Sequence, residues 1–181
     1  MEGDGEMEDG RVTKVLLVDD DQNLPDYYKM LFEKRKDLGV EIDSCFDGNE
    51  LTEKLKTGHY DIIILDQRLS DGERGIDLIP TIKAFSSETR IILNSAYGNE
   101  DLAVESLRRG IDDYVCGNKE NDEMLIECVI RIRSGINAEE RIKEMISKKR
   151  EAVLDIKACC DEKMSKILGR MKKVNQAISS E

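Results

Sequence analysis

The sequence predicts an α/β fold built on a parallel sheet, and three observations carry that prediction. Short apolar runs alternate with amphipathic stretches across residues 12–134, and the links between them are short. Two of the runs also end in carboxylates. Lys14-Val15-Leu16-Leu17-Val18 leads into Asp19-Asp20-Asp21, and Ile62-Ile63-Ile64-Leu65 leads into Asp66. A short apolar run bounded by charge reads as a strand covered on both faces. Alternation of such strands with helices reads as a layered parallel sheet.

Each element has its own signal. Residues 1–11 are rich in Gly, Glu and Asp and are expected to be disordered. The first strand is the run from Lys14 to Val18. Asn23-Leu24-Pro25-Asp26 then offers an Asn cap, an early Pro and a first-turn acid, and Tyr27, Met30, Leu31 and Lys34 follow at helical spacing. A second strand falls within Gly39 to Ser44, and Gly48 opens a helix toward Thr57. Strand three runs from Ile62 to Asp66. After Gly75 the segment Ile76 to Ala84 is amphipathic, with Pro80 expected to bend it. Arg90 to Ser95 is the fourth strand, Glu100 to Arg109 a helix stopped by Gly110, and Asp113 to Cys116 the fifth strand. A fifth helix begins across Met124 to Ser134.

The remaining residues, 135–181, read as a helical extension. From Ala138 there is no proline and one glycine, Gly169, while Ile146, Val153, Ile156, Cys160, Met164, Ile167, Met171, Val174 and Ile178 recur along the segment. Much of this is the three–four alternation of a coiled coil. Lys149 takes one seam position, and Val153 to Met164 inserts an eleven-residue step. A helix of about 40 residues needs something to cover its stripe, which would be a second copy, another chain or the preceding domain.

Composition narrows the classes of function. The 181 residues are 39% hydrophobic and 37% charged, with net charge −11. No apolar run is long enough to cross a bilayer, and the N-terminus has no secretory pattern. Five cysteines without metal-ligand spacing point to reduced thiols in a cytoplasmic setting. Acidic residues dominate the first 130 positions, whereas the tail carries a small excess of Lys and Arg. That balance, and the lack of zinc-finger, phosphate-loop or helix-turn-helix motifs, argues against nucleic acid as a partner.

In an open parallel sheet, ligands bind in the crevice at the carboxyl ends of neighbouring strands. If the first and third strands are neighbours, Asp19, Asp20 and Asp66 gather there. Clustered carboxylates suit a hard cation, and one of them can act as a nucleophile.

These segments resemble the receiver domain of two-component response regulators. The matching pieces are Val15 to Asp21, Tyr60 to Gly72, Ile91 to Gly98, and Gly110 to Val115. The resemblance covers residues 12–134 and implies a three-layer, flavodoxin-like fold with a five-stranded parallel sheet in order 2-1-3-4-5. It also implies roles. Asp66 matches the acceptor of a phosphoryl group from a histidine kinase or phosphotransfer protein. Asp20 matches a direct Mg²⁺ ligand, Asp19 an acid reaching Mg²⁺ through water, and Arg68 a ligand through its backbone carbonyl. Ser95 matches the hydroxyl residue that binds the phosphoryl group, and Tyr114 the aromatic that turns inward as Ser95 moves. Self-dephosphorylation and a switched surface for a downstream protein follow from the same resemblance.

Two departures stand out. The family usually places a lysine and then a proline three residues after the Tyr114 position, where this chain has Gly117 and Asn118. Lys119 is the candidate substitute. Ser70 stands at a position that is commonly proline, and Asp71 to Gly75 is one residue longer than usual. The competing expectation is therefore a degenerate receiver that acts as a phosphate-independent protein-binding or dimerisation module, including homodimerisation through the C-terminal helix. A hydrolase acting on an outside phosphate ester lacks a substrate domain here.

Other candidates read more simply. His59, the lone histidine, is expected to be a surface loop residue. Cys159 and Cys160 are adjacent and would point roughly 100° apart on a helix, so Cys160 reads as a small seam residue. Tyr97, beside Ser95-Ala96, reads as partner surface.

Overall fold

The computed structural model describes residues 11–35, 38–96, 100–116 and 122–178, the last eight by backbone alone. The chain divides into two units between Gly135 and Ile136.

In the first unit the elements alternate. They are β1 (Thr13–Val18), α1 (Leu24–Glu33), β2 (Val40–Cys45), α2 (Gly48–Thr57), β3 (Ile62–Asp66), a short 3-10 turn (Ser70–Gly72), α3 (Gly75–Phe85), β4 (Arg90–Ser95), α4 (Glu100–Arg108), β5 (Asp113–Cys116) and the start of α5 (Asp122–Ile178). The strands form one parallel sheet in order β2-β1-β3-β4-β5.

Alternation along the strands explains burial on both faces. Leu16, Val18, Ile63, Leu65, Ile91 and Leu93 share one core with Leu51 and Leu55 of α2 and with Ile76, Ile79 and Ile82 of α3. The intervening Val15, Leu17, Ile62, Ile64 and Ile92 are equally buried, as are Tyr28 and Phe32 of α1 and Leu125 and Val129 of α5. The start of β1 is tied to Asp61, which accepts from the Lys14 backbone N–H at 2.8 Å and from Arg11 at 2.5 Å.

Three local features differ from the sequence reading or refine it. Asn23 precedes α1 but makes no capping bond; its side-chain amide instead donates to Asp21 at 3.0 Å. α2 is capped by Asp47, which accepts from Glu50 N–H at 2.8 Å, while the Glu50 carboxylate reaches back to Phe46 N–H. Pro80 sits inside α3 and lacks the N–H that would bond the Ile76 carbonyl. Arg109 takes its place, donating to the Ile76 carbonyl at 3.2 Å.

In the second unit, residues from Ile136 to Ile178 continue α5 as helix. Ile142, Ile146, Val153, Ile156, Met164 and Ile167 are all more than half exposed. Cys159 and Cys160 are free and exposed. None of the described helices is long and apolar enough to cross a membrane.

Candidate functional site

Strand register assembles the acidic site. β1 and β3 pair with Val18 opposite Leu65, so the next residues along, Asp19 and Asp66, leave the sheet side by side. β3 and β4 pair with Asp66 opposite Asn94, which puts Ser95 one step beyond on the neighbouring strand. Side chains separated by 29 to 76 residues in sequence therefore meet at one sheet edge because three strands end there.

The carboxylates crowd one another. Burial, followed by the charge of Asp19, pushes the Asp66 carboxyl up to about 6, against bonds from the backbone N–H groups of Arg68 and Gln67 that pull it down. Asp19 is also raised, chiefly by burial, although it accepts from Asp21 N–H at 2.9 Å. One Asp66 oxygen accepts from Arg68 N–H at 3.0 Å. Asp20 stands near both, and its Oδ2 accepts from the Ser70 hydroxyl at 2.8 Å.

The loop after Asp66 is built by close approach and by left-handed backbone. A Cβ at Gly75 would lie 2.0 Å from the Asp66 carbonyl oxygen. Asp71 and Gly72 have φ of 61° and 79° and form the tip. An antiparallel bridge between Arg68 and Arg74 closes the loop, with bonds from Leu69 N–H to Glu73 O and from Gly75 N–H to Gln67 O. The Glu73 carboxylate accepts from Gly48 N–H at 2.8 Å, fastening the loop to the start of α2. Buried Gln67 accepts from Ile76 N–H through its side chain.

Ser95 is 3% exposed, and Tyr114 sits on the adjacent strand β5. The Tyr114 hydroxyl is buried without a hydrogen-bond partner among the described residues, and burial raises its pKa. Ser95 and Cys116 are its polar neighbours.

Residues 15–131 match the response regulator receiver domain family. The chain belongs to that family. Among curated relatives, the transcriptional regulatory protein DltR of Streptococcus agalactiae is 30% identical over 120 residues, covering 66% of this chain and 52% of DltR. The oxygen regulatory protein NreC of Staphylococcus carnosus is 30% identical over 124 residues, covering 67% of this chain and 55% of NreC. The chain thus spans about half the length of these relatives. Among solved structures, a two-component response regulator from Clostridium difficile superposes with TM-score 0.61 at 28% identity, covering 69% of this chain and 98% of the other. TrrA of Thermotoga maritima, solved with Mg²⁺ and BeF, superposes with TM-score 0.56 at 30% identity, covering 67% and 99%.

The receiver brings Asp19, Asp66 and Ser95 to one edge, with Tyr114 one strand further on. Lys119 lies outside the described residues, as do Gly117, Asn118 and Tyr97. His59 is exposed, with Nε2 3.8 Å from Asp61.

All three acids offer hard oxygen donors, and burial, with a smaller share of mutual repulsion, raises the carboxyls of Asp66 and Asp19. In chemistry the donor set fits Mg²⁺. In arrangement, no group of three or more His, Cys, Asp or Glu among the described residues is poised to hold a metal. Ser70, Glu73 and Gly75 are the site residues that sequence reasoning gave no role. The substitution at Ser70 and the lengthened loop were the signals available.

Proposed function

We propose that this receiver is a signalling switch that accepts a phosphoryl group on Asp66 from a histidine kinase or phosphotransfer protein. The observation that carries this reading is the placement of a partly buried, electrostatically strained Asp66 beside Asp19, with the Ser95 hydroxyl on the next strand. An Asp66 carboxylate oxygen bonds to phosphorus as the phosphorus–nitrogen bond of the donor histidine breaks, and the departing imidazole takes a proton from solvent. Asp19, Asp20, Asp66 and the Arg68 carbonyl would hold Mg²⁺, whose charge offsets repulsion between the carboxylate and the incoming phosphoryl oxygens. Ser95 donates to the bound phosphoryl group, and Tyr114, whose hydroxyl has no hydrogen-bond partner among the described residues, follows that movement. Water then hydrolyses the acyl phosphate, so the signal is timed. Output goes to a downstream protein, with α5 beyond Ile136 pairing with a second copy, in the cytoplasm.

A second reading is a degenerate receiver that binds partners without phosphate. The hold of Ser70 on Asp20 favours it. Intact-protein mass after incubation with acetyl phosphate separates the two. A gain of one phosphoryl group that needs Mg²⁺ and disappears in Asp66→Asn supports the switch; no gain from acetyl phosphate or from a phosphorylated histidine donor supports the second reading.

A further inference from the structure

We propose that Ser70 sets the cation requirement of this receiver by competing for Asp20. Its hydroxyl donates to the Asp20 carboxylate and occupies an oxygen that a cation would need, an inference that rests on the reading of Asp20 as a Mg²⁺ ligand.

Ser70 and Asp20 are 50 residues apart in sequence and meet at 2.8 Å at the mouth of the site. Asp19 and Asp66 are bonded by N–H groups of their own strand ends, Asp21 and Arg68. Asp20 is held by a different element. A serine hydroxyl can donate such a bond, whereas a proline in its place could not.

The loop that carries Ser70 is fastened to its surroundings. Leu69, just before it, is buried. Glu73 N–H bonds the Ser70 carbonyl at 3.2 Å, and the Glu73 carboxylate is bound at 2.8 Å to Gly48 N–H at the head of α2. Beyond Ser70 the chain passes through Asp71, whose φ of 61° is left-handed. Among the described residues the acids do not form a group of three placed to hold a metal. Recruiting Asp20 to a cation therefore breaks the Ser70 bond and leaves that hydroxyl to water. The bond is exposed to solvent, so its loss lowers affinity by about three- to tenfold.

The test is Mg²⁺ titration of the full chain by calorimetry and by the shift in unfolding temperature. It compares wild type, Ser70→Ala, Ser70→Thr, Asp20→Asn and Ser70→Ala/Asp20→Asn. Ser70→Ala is expected to bind Mg²⁺ about three- to tenfold more tightly. Ser70→Thr, which keeps the hydroxyl, should stay near wild type, and Ser70→Ala should have no effect once Asp20 is Asn. Equal or weaker binding by Ser70→Ala, with wild type still binding, removes the competitor role and leaves the cation site standing. No binding by wild type or Ser70→Ala overturns the cation site and the competition together.

Discussion

Gly75 and Asp66 are in contact through backbone alone: a Cβ on Gly75 would stand 2.0 Å from the Asp66 carbonyl oxygen and 2.9 Å from Leu65. The start of α3 is therefore pressed against the end of the strand that carries the candidate phosphoacceptor. Gly75→Ala must displace one or the other. It is expected to destabilise the fold by about 1–3 kcal/mol in urea denaturation and to slow labelling of Asp66 by acetyl phosphate. Gly135→Ala meets open space within a helix and should instead gain about 0.5–1 kcal/mol.

Asp66 makes stability depend on pH in a definite direction. Its folded pKa is raised to about 6, so the folded state binds its proton more tightly than the unfolded chain does. The contribution is fully present below pH 3.8 and is lost as pH rises through about 6. Asp66→Asn removes the ionisation and should be more stable than wild type at neutral pH. After allowance for solvent screening the gain is about 1–2 kcal/mol. Denaturant melts at several pH values should show the gap closing on acidification, and a gap independent of pH would contradict this origin.

The buried hydroxyl of Tyr114 lacks a partner among the described residues. An unpaired buried donor costs free energy, so Tyr114→Phe should leave stability unchanged or raise it by up to about 1 kcal/mol. A loss larger than that, measured by thermal unfolding, would mean that the hydroxyl is bonded in solution.

Arg109 serves the Ile76 carbonyl because Pro80 cannot. Arg109→Ala should cost about 1–2 kcal/mol, more than its surface ion pairs with Asp77 and Glu105 would explain. Pro80→Ala restores an N–H within the helix. In that background the cost of Arg109→Ala should shrink, and a double-mutant cycle measures the difference.

Val153 and Ile156 are 63% and 64% exposed on α5. If a second copy covers them, sedimentation should show a dimer for wild type and a monomer for Val153→Asp/Ile156→Asp, with the secondary structure of the first unit unchanged by circular dichroism. A wild-type monomer at high concentration would rule out self-pairing.

Much of the fold was legible before any coordinates, because burial on both faces leaves a strong mark on sequence. The runs Lys14 to Val18, Ile62 to Asp66 and Arg90 to Ser95 became β1, β3 and β4 almost to the residue. The carboxylates after the first two runs were likewise placed together by parallel pairing. Capping was less legible: Asn23 had the right chemistry but bonded Asp21, and Asp47 supplied the cap at α2. Both residues can satisfy several backbone groups, and their neighbours decide which.

By itself, then, the sequence determined the strands, the acids at their ends and the apolar stripe of α5, since all of these follow from local pattern and periodicity. Only the tertiary structure decided that Asp20 faces Ser70, that Glu73 ties its loop to Gly48, and that Arg109 completes the helix broken at Pro80. Those pairings join residues 50, 25 and 33 positions apart. Hydrogen bonds are directional and short in range, so they form only between groups that the folded sheet and its loops have brought within reach.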